Sequence, residues 1–298
     1  MTFFSIIKYI VNHPLNQGAK GRAILRFLSW QISIRINPYP IVYNFTKLSK
    51  LIVGRGMTGA TGNYYCGLHE FSDMGFLLHF LRSEDSFVDI GANIGSYTIL
   101  ASAHIGASSI SIEPVKSTFD QLINNILINN IQNKVQSLNV AVGSSQGEIN
   151  FTSSLDTVNH VATQNEKDFI QIKVDTFDTL LKYPPTPQLS KIDVEGYETE
   201  VIRGAQETLL KNELKATIIE LNGSGLRYGY NELDIHNNLG AAGFKSYSYG
   251  PFNRVIQETE RIGGLNTIYL RDIDFVRDRI AKSPFVEILV KNFRQTRY

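Results

Sequence analysis

Cysteine is almost missing from this chain: one residue of 298, Cys66. An intramolecular disulfide and a cysteine-built zinc site are thereby excluded, and a reducing compartment, the cytoplasm, is expected. Charge of either sign is not in excess, since 29 Lys and Arg stand against 28 Asp and Glu, and a broad nucleic-acid-binding face needs a basic surplus. No nucleic-acid partner is expected. Long apolar runs are lacking too. The first dozen residues, M-T-F-F-S-I-I-K-Y-I-V-N, are broken by Lys8 and stop before His13-Pro14. Such a run is too short to span a bilayer, and it shows neither the basic leader nor the small-residue cleavage site of a secretion signal. No integral membrane segment is expected. The run is read as a helix docking on the core or on another subunit, or as a peripheral membrane contact through apolar residues flanked by Lys8, Lys20 and Arg22.

What is present is the composition of a globular protein, 43% apolar and 19% charged, long enough for one enlarged α/β domain or a core with an extension. The chain is organised around residues 86–100, S-F-V-D-I-G-A-N-I-G-S-Y-T-I-L. This reads as a buried strand, a turn holding Gly91 and Gly95, and the start of a helix, which is how an open α/β sheet makes a nucleotide site. Spacing decides which nucleotide. Dinucleotide sites carry G-x-G-x-x-G packed against a pyrophosphate, whereas here the pattern is D-x-G-x-x-x-G with Asp89 at the strand end. An acid in that place repels phosphate and suits a ligand with its own positive charge, which points to S-adenosylmethionine. Glu113 closes the next apolar run 24 residues later, about where a carboxylate reaches ribose hydroxyls. Against this stands an ordinary α/β protein with a glycine turn and two surface acids.

On either side of that stretch the chain alternates. Residues 23–36 carry helical apolar spacing, and Asn37-Pro38-Tyr39-Pro40 ends them as a turn. Residues 48–53 and 63–68 read as a hairpin around a glycine-rich turn, and residues 73–81 as a helix with Asp73 as N-cap. His69 and Glu70, just before it, either overhang the ligand or form a solvated pair. A helix over 116–130, a strand over 135–142 and a polar irregular stretch over 147–167 follow, the last a candidate substrate loop. Strand returns at 169–174, a helical turn at 177–181 and a stiff proline connector at 184–187.

The second chemical stretch is L-S-K-I-D-V-E, residues 189–195. As a strand it places Lys191, Asp193 and Glu195 on one face, at the carboxyl end where ligands of open sheets lie. Two neighbouring carboxylates raise one another's proton affinity, so one can act as a general base; the alternative is an ion pair with Lys191 that only stabilises the strand end. His160 and His69 are further candidates for the base, and a divalent cation held by the same acids is a rival arrangement. Helix is expected over 197–212 and 231–239, strands over 216–221, 245–249, 254–257 and antiparallel over 267–270, and a terminal helix over 285–293. Tyr228, Tyr230, Tyr247, Tyr249 and Phe252 gather late in the chain, either as sugar-stacking faces or as core packing.

F-V-D-I-G-A-N-I-G-S-Y-T (87–98), S-I-E-P (111–114), K-I-D-V-E-G-Y-E (191–198) and I-I-E-L-N (218–222) together resemble the FkbM family of S-adenosylmethionine-dependent methyltransferases. The resemblance covers about residues 68–270. It implies a Rossmann-like class I core, a mostly parallel seven-stranded sheet with helices on both faces, preceded here by a helical and hairpin extension. It also implies methyl transfer to a hydroxyl oxygen of a sugar, a glycolipid, a polysaccharide or another natural product. Carried over by position, cofactor binding falls on Glu70, Asp89, Gly91, Asn93, Gly95 and Glu113, and catalysis on Asp193 and Glu195. No resident metal is implied. The domain reading is an extension over 1–67, a core over 68–272 and a helical tail over 273–298. A non-catalytic adenosyl-ligand-binding scaffold and an NAD-dependent oxidoreductase are the alternatives of other classes.

Overall fold

The computed structural model describes residues 3–153, 155, 158–163, 166–182, 185–260, 263–288 and 296–297. In chain order, α1 (Phe3–Asn12) and α2 (Lys20–Ile36) lead to a hairpin of β1 (Ile41–Asn44) and β2 (Lys50–Val53), then α3 (Thr58–Cys66) and α4 (Phe71–Phe80). The core begins with β3 (Ser86–Ile90), α5 (Ser96–Ile99, running on as a π-helical turn), β4 (Ser108–Ile112), α6 (Lys116–Ile128) and β5 (Val135–Leu138). Three strands, β6 (Ala141–Gly143), β7 (Gly147–Phe151) and β8 (Ile170–Thr176), make a small sheet of their own. The chain then runs through α7 (Phe177–Leu180), β9 (Leu189–Ile192), α8 (Glu198–Arg203), α9 (Gln206–Leu210) and β10 (Ala216–Leu221). It continues as α10 (Glu232–Ala241), β11 (Lys245–Gly250), β12 (Val255–Glu258), β13 (Leu265–Leu270) and α11 (Ile273–Ala281).

The main sheet is ordered β12-β11-β13-β10-β9-β3-β4-β5. β3 pairs in parallel with both β4 and β9, and β10 with β9, whereas β13 runs antiparallel to β10 and β11. Chain order therefore reverses at β3, with β4 and β5 to one side and β9 and β10 to the other. A crevice outside the carboxyl ends forms at such a switch point. Seven strands match the expected class I arrangement, and β12 adds an eighth at the edge as a hairpin partner of β11.

Alternating side chains account for helices on both faces. Phe87, Leu189 and Ile218 join the apolar cluster containing α4, α5 and α6, while Val88, Ile192 and Ile219 join the one containing α8 and α10. The strands are buried on both sides, as a parallel sheet requires.

Several local expectations need correction. The hairpin pairs Ile41 with Val53, and residues 63–66 belong to α3 instead. Gly62, expected in a turn, sits inside that helix because a Cβ there would lie 2.5 Å from the His69 ring. Glu70 occupies the N-cap of α4, and Asp73 stands in its first turn. The strand over 135–142 breaks where the Asn139 amide donates to the Glu113 and Pro114 carbonyls, turning the chain out of the main sheet. The polar stretch contains β7, which pairs with β8 in register from Gly147↔Val174 to Phe151↔Ile170. The helix over 197–212 is two, broken at Gly204, where a Cβ would meet the Gly143 carbonyl oxygen at 2.1 Å. Of the terminal helix over 285–293, residues 287–288 are strand and 289–293 lie outside the described residues.

Candidate active site

At the switch point the β3 strand gives way to a turn clamped onto β4. The amides of Gly91 and Ala92 donate to the Ile112 carbonyl at 3.0 and 2.9 Å. Gly91 has φ +78, and a Cβ on it would stand 1.8 Å from the Asp193 carbonyl oxygen. Only glycine fits there. Asn93 follows at φ 51, and Gly95, at φ +88, opens α5.

Asp89 is 2% exposed and accepts from the amide and hydroxyl of Thr98 at 3.1 and 2.7 Å, holding the start of α5 against the strand. Burial raises its carboxyl to about 6, against the pull of those Thr98 bonds. Glu113 accepts from the Asn93 amide at 3.0 Å and the Val115 amide at 2.9 Å. Burial lifts it to about 7.

One cavity brings these groups together. Its wall includes Glu70, Asp89, Gly91, Asn93 and Glu113, along with Asp193 and Glu195. Of the residues assigned to cofactor binding from sequence, Gly95 stands off the wall and acts through the turn. His69 lines the cavity with Glu70; its Nδ1 lies 2.8 Å from the Tyr9 hydroxyl, and burial lowers its proton affinity. His160 is placed differently. It is not on the wall, and its Nε2 lies 2.8 Å from Glu166.

The second stretch reaches the site by a route the alternation of a strand does not describe. β9 ends at Ile192, and Glu195 and Gly196 take φ 54 and 104, so the loop curls back over the strand tips. Glu198 fixes that loop by accepting from the Val194 and Gly196 amides at 3.0 and 3.2 Å. Because β9 and β10 pair Ile192 with Ile219, the next residues, Asp193 and Glu220, stand side by side. Oxygens of Asp193, Glu195 and Glu220 lie within 4.8 Å of one another. Burial, then the charges of Asp193 and Glu195, pushes Glu220 to about 9; burial, then Asp193, pushes Glu195 to about 7. Glu220 is the functional candidate that sequence reasoning passed over. Its signal was its place at the end of the strand next to the one bearing Asp193.

Lys191 answers these acids. Its Nζ donates to Asp193 at 2.7 Å and lies 4.9 Å from the centre of the Tyr97 ring. Burial works against the ammonium, but the carboxylates of Asp193, Glu70 and Asp89 outweigh it and hold it charged. Of the late aromatics, Tyr247 and Tyr249 are buried in the core, and Tyr228 and Tyr230 pack against Tyr197, itself a lining residue of the cavity, with ring centres 5.6 and 6.4 Å away. The Tyr228 hydroxyl also donates to the Val161 carbonyl at 2.7 Å, tying the segment after β7 to the mouth of the site.

Six carboxylates and one ammonium face this cavity among the described residues. Such a wall rejects a pyrophosphate and accepts a cation. Sheet order, glycine turn and acidic strand tips together define a Rossmann-like class I methyltransferase. The chain belongs to the FkbM methyltransferase family, since the profile of the methyltransferase FkbM domain matches residues 89–246. It is 30% identical over 148 residues to the hexuronic acid methyltransferase AglP of Haloferax volcanii, a match covering 49% of this chain and 59% of that one. The chain thus spans about three fifths of the length of that curated relative. Among solved structures, the methyltransferase FkbM of Methylobacillus flagellatus is 16% identical with a TM-score of 0.44, covering 64% of this chain and 44% of that one. A Streptococcus mutans protein solved in complex with SAH is 13% identical with a TM-score of 0.41, covering 66% and 94% of the two chains.

Proposed function

We propose that this protein transfers the methyl group of S-adenosylmethionine to a hydroxyl oxygen of a sugar, with hexuronic-acid-bearing glycans as the first acceptor class to test. It is read as an enzyme of polysaccharide or glycolipid synthesis, working in the cytoplasm. The observation that carries the reading is the meeting of Asp193, Glu195 and Glu220 within 4.8 Å at the edge of a cavity whose other end is an acidic nucleoside site. A hydroxyl acceptor must lose a proton as its oxygen attacks, which calls for a carboxylate beside it. A carboxylate acceptor needs no base and would be repelled by three acids.

S-adenosylmethionine supplies an electrophilic methyl carbon and a leaving thioether. Glu113 is read as the partner of the ribose hydroxyls and Glu70 as that of the ammonium at the amino-acid end. Tyr97 donates to Glu70 at 2.8 Å and Asn266 at 2.6 Å, fixing that carboxylate. At the acceptor end Asp193, kept in place by Lys191, takes the hydroxyl proton. As the oxygen–carbon bond forms the carbon–sulfur bond breaks, and its electron pair stays on the leaving sulfur. Glu220, protonated near neutral pH, carries a hydrogen-bond donor into the cluster. Alignment and proton removal are the main contributions a protein can make to such a displacement.

The test combines calorimetry with S-adenosylmethionine and a mass-spectrometric assay on glucuronic acid glycosides with free and esterified carboxyls. Ether formation on both acceptors, with Asp193→Asn binding cofactor normally and losing turnover by about 10²-fold or more, is the expected result. Methyl esters formed only on the free acid would overturn the hydroxyl assignment. Asp193→Asn with unchanged turnover would remove the base, and normal cofactor binding with no transfer to any sugar would favour a scaffold role.

A further inference from the structure

The first 69 residues contain eight Lys and Arg and no Asp or Glu, a net +8 that leaves −7 on everything after them. All eight except Arg26 are exposed. The same segment also carries exposed apolar side chains. On α2, Ala23, Phe27 and Trp30 are buried against the body, whereas Leu25, Leu28, Ile32 and Ile36 are 64%, 39%, 60% and 80% exposed. Their spacing of three, four and four residues makes a single outward stripe. At 100° per residue, Arg22 falls on one flank of that stripe and Arg35 on the other. Phe4, 82% exposed, extends the apolar surface on α1, whose neighbour Phe3 stacks 5.4 Å from Phe27 of α2.

We propose that the outer face of α2, with the exposed end of α1, docks on a membrane surface containing anionic lipid. An apolar stripe flanked by basic side chains is the pattern that lies in the interfacial plane of a bilayer, with the stripe among the acyl chains and the cations against headgroups. A second copy of the chain fits this face poorly. A two-fold contact would set the Arg22 and Arg35 flanks of one copy against those of the other, and the segment has no acidic residue to relieve it. The extension also supplies Thr58, Gly59 and Asn63 to the cavity wall, so the docking face and part of the site share one segment.

Flotation of the full-length protein with phosphatidylcholine vesicles, with and without phosphatidylglycerol, tests this directly. The protein is expected to float with the phosphatidylglycerol vesicles alone and to be released by high salt. Ile32→Asp with Ile36→Asp, and separately Arg22→Glu with Arg35→Glu, are expected to reduce the bound fraction by about tenfold or more. Both pairs are exposed, so unchanged melting and cofactor calorimetry establish that the fold survives. Failure of the wild type to float overturns the proposal, as does an Ile32→Asp/Ile36→Asp protein that floats like wild type. So does a wild-type dimer in size-exclusion chromatography that the same pair converts to monomer, since that assigns the face to a second copy.

Discussion

The Lys191 ammonium and the Asp193 carboxylate are 2.7 Å apart, with the lysine side chain 4% exposed and the aspartate 27%. Both ends of the pair line the cavity, the lysine the more deeply buried of the two. The pairing sets the charge of the acid cluster, because Asp193, Glu195 and Glu220 meet there and Lys191 is the cation on the cavity wall among the described residues. Lys191→Met is expected to lower kcat by about 10²-fold at neutral pH and to move the acid limb of the pH–rate profile upward, while Lys191→Arg restores part of the rate. Removing one partner of a buried pair also costs stability, roughly 3–5 kcal/mol, so melting curves must accompany the kinetics. An unmoved acid limb in a folded Lys191→Met protein would deny the electrostatic role.

Stability of the free protein is expected to fall as pH rises from about 4.5 to about 7. Glu113 and Glu198 are both raised to about 7, chiefly by burial. Below the ordinary carboxyl value both states are protonated and the groups contribute no difference. Between that value and 7 the unfolded chain gives up protons the folded one retains, so the slope of stability with pH is negative. Each group contributes roughly 3 kcal/mol of loss once fully ionised. Thermal melts from pH 5 to pH 8 check the direction, and Glu113→Gln should flatten the slope.

Chelation is expected to leave methyl transfer unchanged. Asp193, Glu195 and Glu220 are the group of described residues whose oxygens are close enough to hold a cation, but the Lys191 ammonium already engages Asp193 at 2.7 Å. Loss of turnover after thorough treatment with a chelator, recovered by adding magnesium, would replace base catalysis with metal-assisted activation of the acceptor.

The stretch from Ser86 to Glu113 was legible in the sequence because every local signal there agrees: an apolar strand, glycines at turn positions, then helical spacing. β10, β11 and β13 were also found, each being a short apolar run bounded by turn residues. The hairpin and α3 were misread because the short apolar run Tyr64-Tyr65-Cys66 beyond a glycine-rich stretch reads as a strand, whereas Gly62 lies within a helix where a Cβ would stand 2.5 Å from the His69 ring. β7 was hidden by its polar, half-exposed face. At the site, individual acids could be named but their meeting could not. Asp193 and Glu195 were expected to share one strand face, whereas a left-handed turn at Glu195 and Gly196 brings them to Glu220. Pairing register across β9 and β10 is a long-range fact that no single segment carries.

Gly91 offers a sharp test of how the two chemical stretches are joined. Its φ is +78, and a Cβ would overlap the Asp193 backbone oxygen at 1.8 Å, so an alanine must displace either the turn after β3 or the loop that carries Asp193 and Glu195. Neither shift is small, because the turn is bonded to Ile112 and the loop to Glu198. Gly91→Ala is therefore expected to lose more than about 3 kcal/mol of stability and to abolish cofactor binding in calorimetry. Gly147→Ala is the matched control. Nothing lies within 4 Å of a Cβ there, and the residue begins an exposed strand, so melting temperature and cofactor affinity should stay at wild-type values. A Gly91→Ala protein that folds and binds cofactor normally would mean that the approach of the two loops is not what shapes the site.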